Sequence, residues 1–341
     1  MDLMQDSILL DDDCNLNDLN FLGIIACSVR QTFKEELEKA VTEYKNKKDI
    51  TLKAYVPSGC SCKADLSSIW EANNIDDFPD VMAANGFKDE FKKGFMNTLT
   101  DKGYFKSVRG ENINKEFLEA GCVDPKGVYN MYAVSPSVIL VDKNKLKDLP
   151  MPKSWGDLLN PIYKNNIIVG GTPEELSDSA VLYIYKEYGE DGVKKLVQNT
   201  KNLWHPSKMS KTAGTMNTEG AAIYIMSWFF AKTCPNTEKT AIVWPEDGAL
   251  INPMCVLAKE SKISKMDALI NFALGEELGS KLADSYFPSL NPKVDNKLPE
   301  SAKFKWLGWD YIRENSMDEI RNITNTMFIN EWKSKIKKWK V

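Results

Sequence analysis

The chain has 341 residues, 43% of them hydrophobic, and carries a formal net charge of −4 at pH 7. Acidic and basic side chains interleave along its length, which excludes the one-signed electrostatic footprint of a nucleic-acid-binding protein. No run is long and apolar enough for a membrane span, and the length allows two domains, each with its own core.

Residues 1–20 read as an acidic lead-in. The opening MDLMQDSILLDDDCN has neither a basic n-region nor a long apolar stretch, so it does not read as a signal peptide. Cys14 follows three Asp and is a poor lipid-attachment position. The expected location is cytoplasmic if the chain is complete, and extracytoplasmic if a leader has been removed. Seven cysteines, an odd number in a chain too large to need stapling, favour reduced thiols.

A strand is predicted over residues 21–26. A helix follows with Phe33, Leu37, Ala40, Val41 and Tyr44 at helical spacing, and Ser28 with Gln31 reads as its capping box. A second strand over 50–56 ends in Pro57-Ser58-Gly59. A short helix over 66–73 leads to a third strand over 80–83. This alternation predicts a parallel sheet with helices on its faces. Residues 87–127 read as mixed helix and loop.

A fourth strand spans 137–141. After it come a charged, Pro-bounded connector, a Ser-Trp-x-Asp-Leu-Leu turn and an apolar strand over 167–169. A helix is predicted over 173–188, then an apolar run over 221–230. A return strand over 255–258 follows the Asn252-Pro253 break. A helix over 266–283 carries Leu269, Ile270, Ala273, Leu274, Leu278 and Leu282 on one face. The final segment, 299–338, ends in a basic tail of Lys333, Lys335, Lys337, Lys338 and Lys340, read as a solvated helix face.

Asn144, Lys145, Leu146, Pro152, Ser154, Trp155, Asp157, Leu158, Leu159, Pro161, Tyr163, Lys164 and Ile167 form one pattern. It resembles the interdomain crossing of ABC-transporter solute-binding proteins, in the class that includes the ferric-iron binders. The element order agrees from about Phe21 to the C-terminus. The resemblance implies an α/β, two-lobed class II periplasmic-binding-protein-like fold. Each lobe would be a mostly parallel sheet flanked by helices, the two joined by a hinge near 142–145 and 249–255. Residues 21–143 and 253–292 would form the first lobe, and 144–252 and 293–341 the second. The implied protein is a monomeric clamp that closes on a small-molecule or metal ligand between its lobes and delivers it to an ABC permease. It is not an enzyme, and nucleic acid is not a partner.

Ligands of open parallel sheets bind outside the carboxyl ends of the strands. That rule selects four loops: 26–30, 58–63, 85–87 and 170–172. Ser28 and Thr172-Pro173-Glu174-Glu175 read as helix starts, either as ordinary caps or as an anion site made of unpaired N–H groups. Ser28, Arg30, Ser58, Gly59, Ser61, Gly170, Gly171 and Thr172 are therefore the candidate ligand-binding residues, and Lys63 adds charge. Cys27, Cys60 and Cys62 fall in the first two loops. With Cys122 they form a candidate set for a thiolate-bound metal ion or an iron–sulfur cluster, or they are apolar filler.

His205 is the one histidine, which removes most histidine-based catalytic schemes. It is read as a ligand group or as a structural imidazole. Trp228, with Phe229 and Phe230, stands about where the ferric-iron binders carry adjacent tyrosines. No tyrosine pair is present, and Tyr224 stands alone. Trp228 is thus read as pocket lining for an organic ligand or as core. The alternative to a transport protein is a cytosolic metal or iron–sulfur cofactor carrier, or a thiol-dependent enzyme, on the same fold.

Overall fold

The computed structural model describes residues 9–10, 18–57, 66–108, 112–177 and 179–338. Its strands in chain order are β1 (Phe21–Gly23), β2 (Ala54–Tyr55), β3 (Val81–Asn85), β4 (Asn130–Asp142), β5 (Ile167–Gly170), β6 (Thr200–Trp204), β7 (Ile223–Ser227), β8 (Thr240–Val243), β9 (Ala249–Ala258) and β10 (Phe304–Lys305). The chain divides into two compact units. Unit 1 takes the chain up to Val134 together with Pro253–Lys297; unit 2 takes Ser135–Asn252 and the chain from Leu298 onward.

In unit 1, β1 lies between β2 and β3 and runs parallel to both. The carboxyl half of β9 then adds antiparallel to β3, with Val81 opposite Ala258 and Asn85 opposite Met254. Phe21, Leu22, Ala54, Tyr55 and Val81 are all fully buried. Strands covered on both faces need such continuous apolar runs rather than alternation. Helix Arg30–Lys48 buries Phe33, Leu37 and Val41, one stripe at four-residue spacing. The Phe33 ring meets Phe272 of helix Asp267–Leu274 edge-on at 5.1 Å.

The single helix expected over 266–283 is two. Helix Asp267–Leu274 stops, and helix Glu276–Asp284 starts, at Gly275, which has an extended conformation. A Cβ there would lie 2.4 Å from the Asn271 carbonyl oxygen, so the close approach requires glycine. The apolar stripe continues across the break: Leu269, Ile270, Leu278 and Leu282 are all buried.

In unit 2, β5 pairs parallel with β6 on one side and with β7 on the other. Residues Ser137 to Val141 of β4 pair antiparallel with β7, and the Ile139 to Asp142 stretch pairs antiparallel with β8. The start of β9 runs parallel to β10. In each unit the strand pairing is therefore mixed, not purely parallel.

The Ser-Trp-x-Asp-Leu-Leu turn is held by its own side chains. The Asp157 carboxylate accepts from the Lys153 and Ser154 amides at 2.8 and 3.0 Å, and the Asp157 amide donates back to Ser154 Oγ at 3.2 Å. These bonds hold the Asp157 carboxyl below the usual carboxylate range. Trp155 is buried and its indole N–H donates to the Gly248 carbonyl at 2.8 Å. The motif thus fixes this turn, inside unit 2, against the approach to β9.

The helix expected over 173–188 is instead Ala180–Asn199, kinked at Gly189 (φ 60°). It packs against the last helix, Met317–Lys338. The basic tail of that helix is not uniformly solvated. Lys335 is buried, and its ammonium donates to the Val197, Gln198 and Thr200 carbonyls at 2.9, 2.8 and 2.6 Å. It caps the carboxyl end of helix Ala180–Asn199, where carbonyls lack intrahelical partners.

Candidate functional site

The parallel strands give each unit one edge at which several carboxyl ends emerge together. In unit 1 these are the ends of β1, β2 and β3. After β1 the chain bends through a turn closed by the Val29 amide on the Ala26 carbonyl at 3.1 Å. Helix Arg30–Lys48 then begins with Val29 as N-cap and no side-chain capping bond. The capping box of Ser28 and Gln31 does not form: Ser28 is exposed in the turn, and Gln31 donates to Glu35 at 2.8 Å. The turn places Ser28 one position too early to receive an N–H from the first helical turn.

Arg30 folds back over this loop. Its Nη2 lies 3.3 Å from the Ile25 carbonyl and 3.1 Å from Cys27 Sγ. After β3, Gly86 takes a positive φ (89°) and its amide donates to the Pro253 carbonyl at 2.8 Å. Phe87 is buried, with its ring 5.8 Å from Phe91. Ser58, Gly59, Cys60, Ser61, Cys62 and Lys63, after β2, lie outside the described residues.

In unit 2 the adjacent carboxyl ends of β6, β5 and β7 carry His205, Gly170 to Thr172 and Trp228. No helix starts at Thr172. Its Oγ1 accepts from the Glu174 and Glu175 amides at 3.2 Å each, its own amide donates to the Glu175 carbonyl at 2.7 Å, and the Leu176 amide goes to Asn325 Oδ1 at 2.8 Å. The Gly171 amide is also used, donating to the Trp204 carbonyl at 3.1 Å. These amides are spent inside the protein, so the segment has no helix N-terminus to offer an anion.

His205 caps helix Pro206–Thr212. Its Nδ1 accepts from the Ser207 amide at 3.2 Å and lies 2.8 Å from Ser207 Oγ. The exposed imidazole stands edge-on to the Phe230 ring at 6.0 Å and 80°. Phe230 in turn meets Phe229 at 5.1 Å and 81°, and both are half-buried. Trp228 is buried, with its ring 5.3 Å from Trp244. Tyr224 is buried too: its hydroxyl accepts from the Ala221 amide at 3.1 Å, and burial pushes its pKa up. It packs as core and presents no phenolate.

The thiolate metal or cluster expectation is overturned. Among the described residues no group of three or more His, Cys, Asp or Glu is placed to hold a metal ion. Cys122 is buried inside unit 1 and its amide closes a turn on the Phe117 carbonyl at 3.0 Å. Burial pushes its thiol, and that of Cys255, up and away from the thiolate form. Cys27 is exposed and lies against Arg30.

One polar group escaped the sequence reading. Asn252 Nδ2 donates to the Ser135 carbonyl at 3.0 Å and to Ser137 Oγ at 3.2 Å, and Asn252 Oδ1 accepts from Ser179 Oγ. The signal was present: polar residues inside the apolar runs of β4 and β9 must find partners when buried.

Comparison with known proteins agrees with this architecture. The profile of a family described as bacterial extracellular solute-binding protein matches residues 76–315. The chain belongs to that family. It is a binding protein of the periplasmic-binding-protein class, related in fold to ferric-binding proteins, and its family role is not catalytic. Among solved structures, an ABC transporter from Clostridium perfringens is 17% identical, with a TM-score of 0.61 over 93% of this chain and 99% of that one. Apo ferric ion-binding protein A from Pasteurella haemolytica is 15% identical, with a TM-score of 0.61 over 93% and 98%. The periplasmic binding protein AfuA from Actinobacillus pleuropneumoniae, with exogenous fructose-6-phosphate bound, is 17% identical, with a TM-score of 0.54 over 94% and 99%. No curated protein matches the chain in sequence. Membership of a family of extracellular proteins favours an extracytoplasmic location and sets aside the thiol-enzyme alternative.

Proposed function

We propose that this chain is the solute-capturing component of an ABC-type uptake system, with its two units acting as two lobes that close on a small organic or anionic ligand and present it to a permease. The observation that carries this reading is the family match over residues 76–315, which covers parts of both units. The mechanism follows from linkage: a ligand that binds the closed form better shifts the population toward it, and the permease reads that form.

The ligand reading rests on what the strand-end edges present. In unit 1 the cation is Arg30, turned over its own loop with Ser28 exposed beside it. In unit 2 the groups are His205 and the half-buried Phe229 and Phe230. That AfuA is solved with a sugar phosphate supports an organic, anion-bearing solute on this fold.

The test is to denature freshly purified protein and identify released small molecules by mass spectrometry, with a thermal-shift screen of organic acids and sugar phosphates on the same preparation. A stoichiometric solute that raises the melting temperature is expected. A chain that carries none, and that no compound stabilises, would overturn the proposal.

A further inference from the structure

Three features of the unit 2 edge are independent of any ligand assignment and point the same way. The first is a tautomer. His205 Nδ1 accepts the Ser207 backbone N–H, a donor that cannot reverse its role. The neutral ring must then carry its proton on Nε2, and the Ser207 hydroxyl at 2.8 Å must donate to Nδ1 as well. Nε2–H has no partner among the described residues, and the side chain is exposed.

The second feature is the ring beside it. Phe230 holds the imidazole edge-on and is itself only half-buried, as is Phe229. The third is charge. The nearby Lys208 ammonium sits 4.0 Å over the Trp204 ring and 3.8 Å from Glu219, so this cation is engaged within the protein. The edge therefore combines one directed neutral donor with aromatic surface.

We propose that His205 and Phe230 form a subsite for a planar aromatic carboxylate, the carboxylate accepting from Nε2–H while the ring of the ligand packs on Phe230. This deepens the solute-binding reading and rests on it. An acceptor group satisfies the imidazole N–H, and a flat apolar body gains ring contact that a hydrated inorganic anion does not.

Because His205 is the one histidine in the chain, its imidazole signals in a carbon–proton NMR spectrum are unambiguous. The probe is benzoate, with acetate as the same head without the ring. Benzoate is expected to move the His205 signals saturably, while acetate at the same concentration leaves them in place. Phe230→Leu, which keeps an apolar side chain but removes the ring, should weaken benzoate roughly three- to ten-fold. His205→Ala should abolish saturable benzoate binding.

Equal effects of benzoate and acetate, or His205 signals that do not move with benzoate, would overturn the inference. So would unchanged benzoate affinity in the folded Phe230→Leu protein. A solute found by mass spectrometry that stabilises the chain with the His205 signals unmoved would also overturn it, while leaving the solute-binding reading intact.

Discussion

The Lys335 ammonium donates to the Thr200 carbonyl at 2.6 Å across 135 residues of sequence. With the Val197 and Gln198 carbonyls it closes the end of helix Ala180–Asn199. Burial pulls its pKa down to about 8, yet its ammonium supplies donors to three carbonyls where that helix ends and β6 begins. Lys335→Met keeps much of the apolar stem and removes the donor. It is expected to cost about 1–3 kcal/mol, read as a lower urea midpoint for the unfolding of unit 2. Lys337→Met, on an exposed position of the same helix, should change the midpoint little.

Glu90 sits in the loop after β3 with its side chain buried. Its carboxylate receives the Lys88 amide at 3.3 Å, and burial pushes its pKa from 4.5 to about 7. A folded-state value above the unfolded one means the folded chain holds the proton more tightly. The contribution to stability is therefore complete below pH 4.5 and is lost as pH rises through about 7. Unit 1 should become easier to unfold between those values. Glu90→Gln should remove that slope and be the more stable protein above pH 7, by about 1–3 kcal/mol. Parallel pH profiles for the two proteins would exclude Glu90 as the source.

Asp142 is fully buried where β4 ends, and its carboxylate takes four donors. These are the Lys145 ammonium at 2.6 Å and the Gly214, Asn144 and Lys145 amides at 2.9, 3.1 and 3.2 Å. Lys145→Met would leave the buried charge without its counter-ion, at a cost of about 3 kcal/mol. In a double-mutant cycle, Asp142→Asn with Lys145→Met should cost less than the sum of the single changes. Strict additivity would show that the pair is not coupled.

What could be read from the sequence was what its bonds keep local. The Ser154, Trp155 and Asp157 motif was legible because Asp157 bonds residues three and four positions away. Strands β3 and β5 were legible because their residues are buried almost throughout and so are uniformly apolar, whereas β6 and β8, which are partly half-buried, gave no such run. Thr172 to Glu175 shows the limit. Its order of residues matches a helix start, but the Leu176 amide is claimed by Asn325 from 149 positions away, and the segment folds as a turn. Lys335 failed for the same reason, since only the packing of two distant helices buries it. Cys122 groups with the loop thiols as a fourth candidate in the sequence, and the core that buries it could not be inferred from composition.

Asn252 offers the last test. It follows Ile251 in β9, and its side chain ties the Ser135 carbonyl, Ser137 Oγ and Ser179 Oγ together. Ser137 is itself buried, and the amide donates both to its hydroxyl oxygen and to the half-buried Ser135 carbonyl. Asn252→Leu is close in volume but lacks both donor and acceptor. Losing those three hydrogen bonds should cost about 1–3 kcal/mol and should speed hydrogen exchange at the amides of Ser137 and Ile251 relative to those of β5. Tyr183, whose hydroxyl donates to the Ile251 carbonyl at 2.6 Å, provides the comparison. Tyr183→Phe removes one bond to β9 without touching the serines, so it should accelerate exchange at β9 and leave Ser137 protected. If both variants loosen β4 and β9 equally, the three-way polar tie is not what holds them.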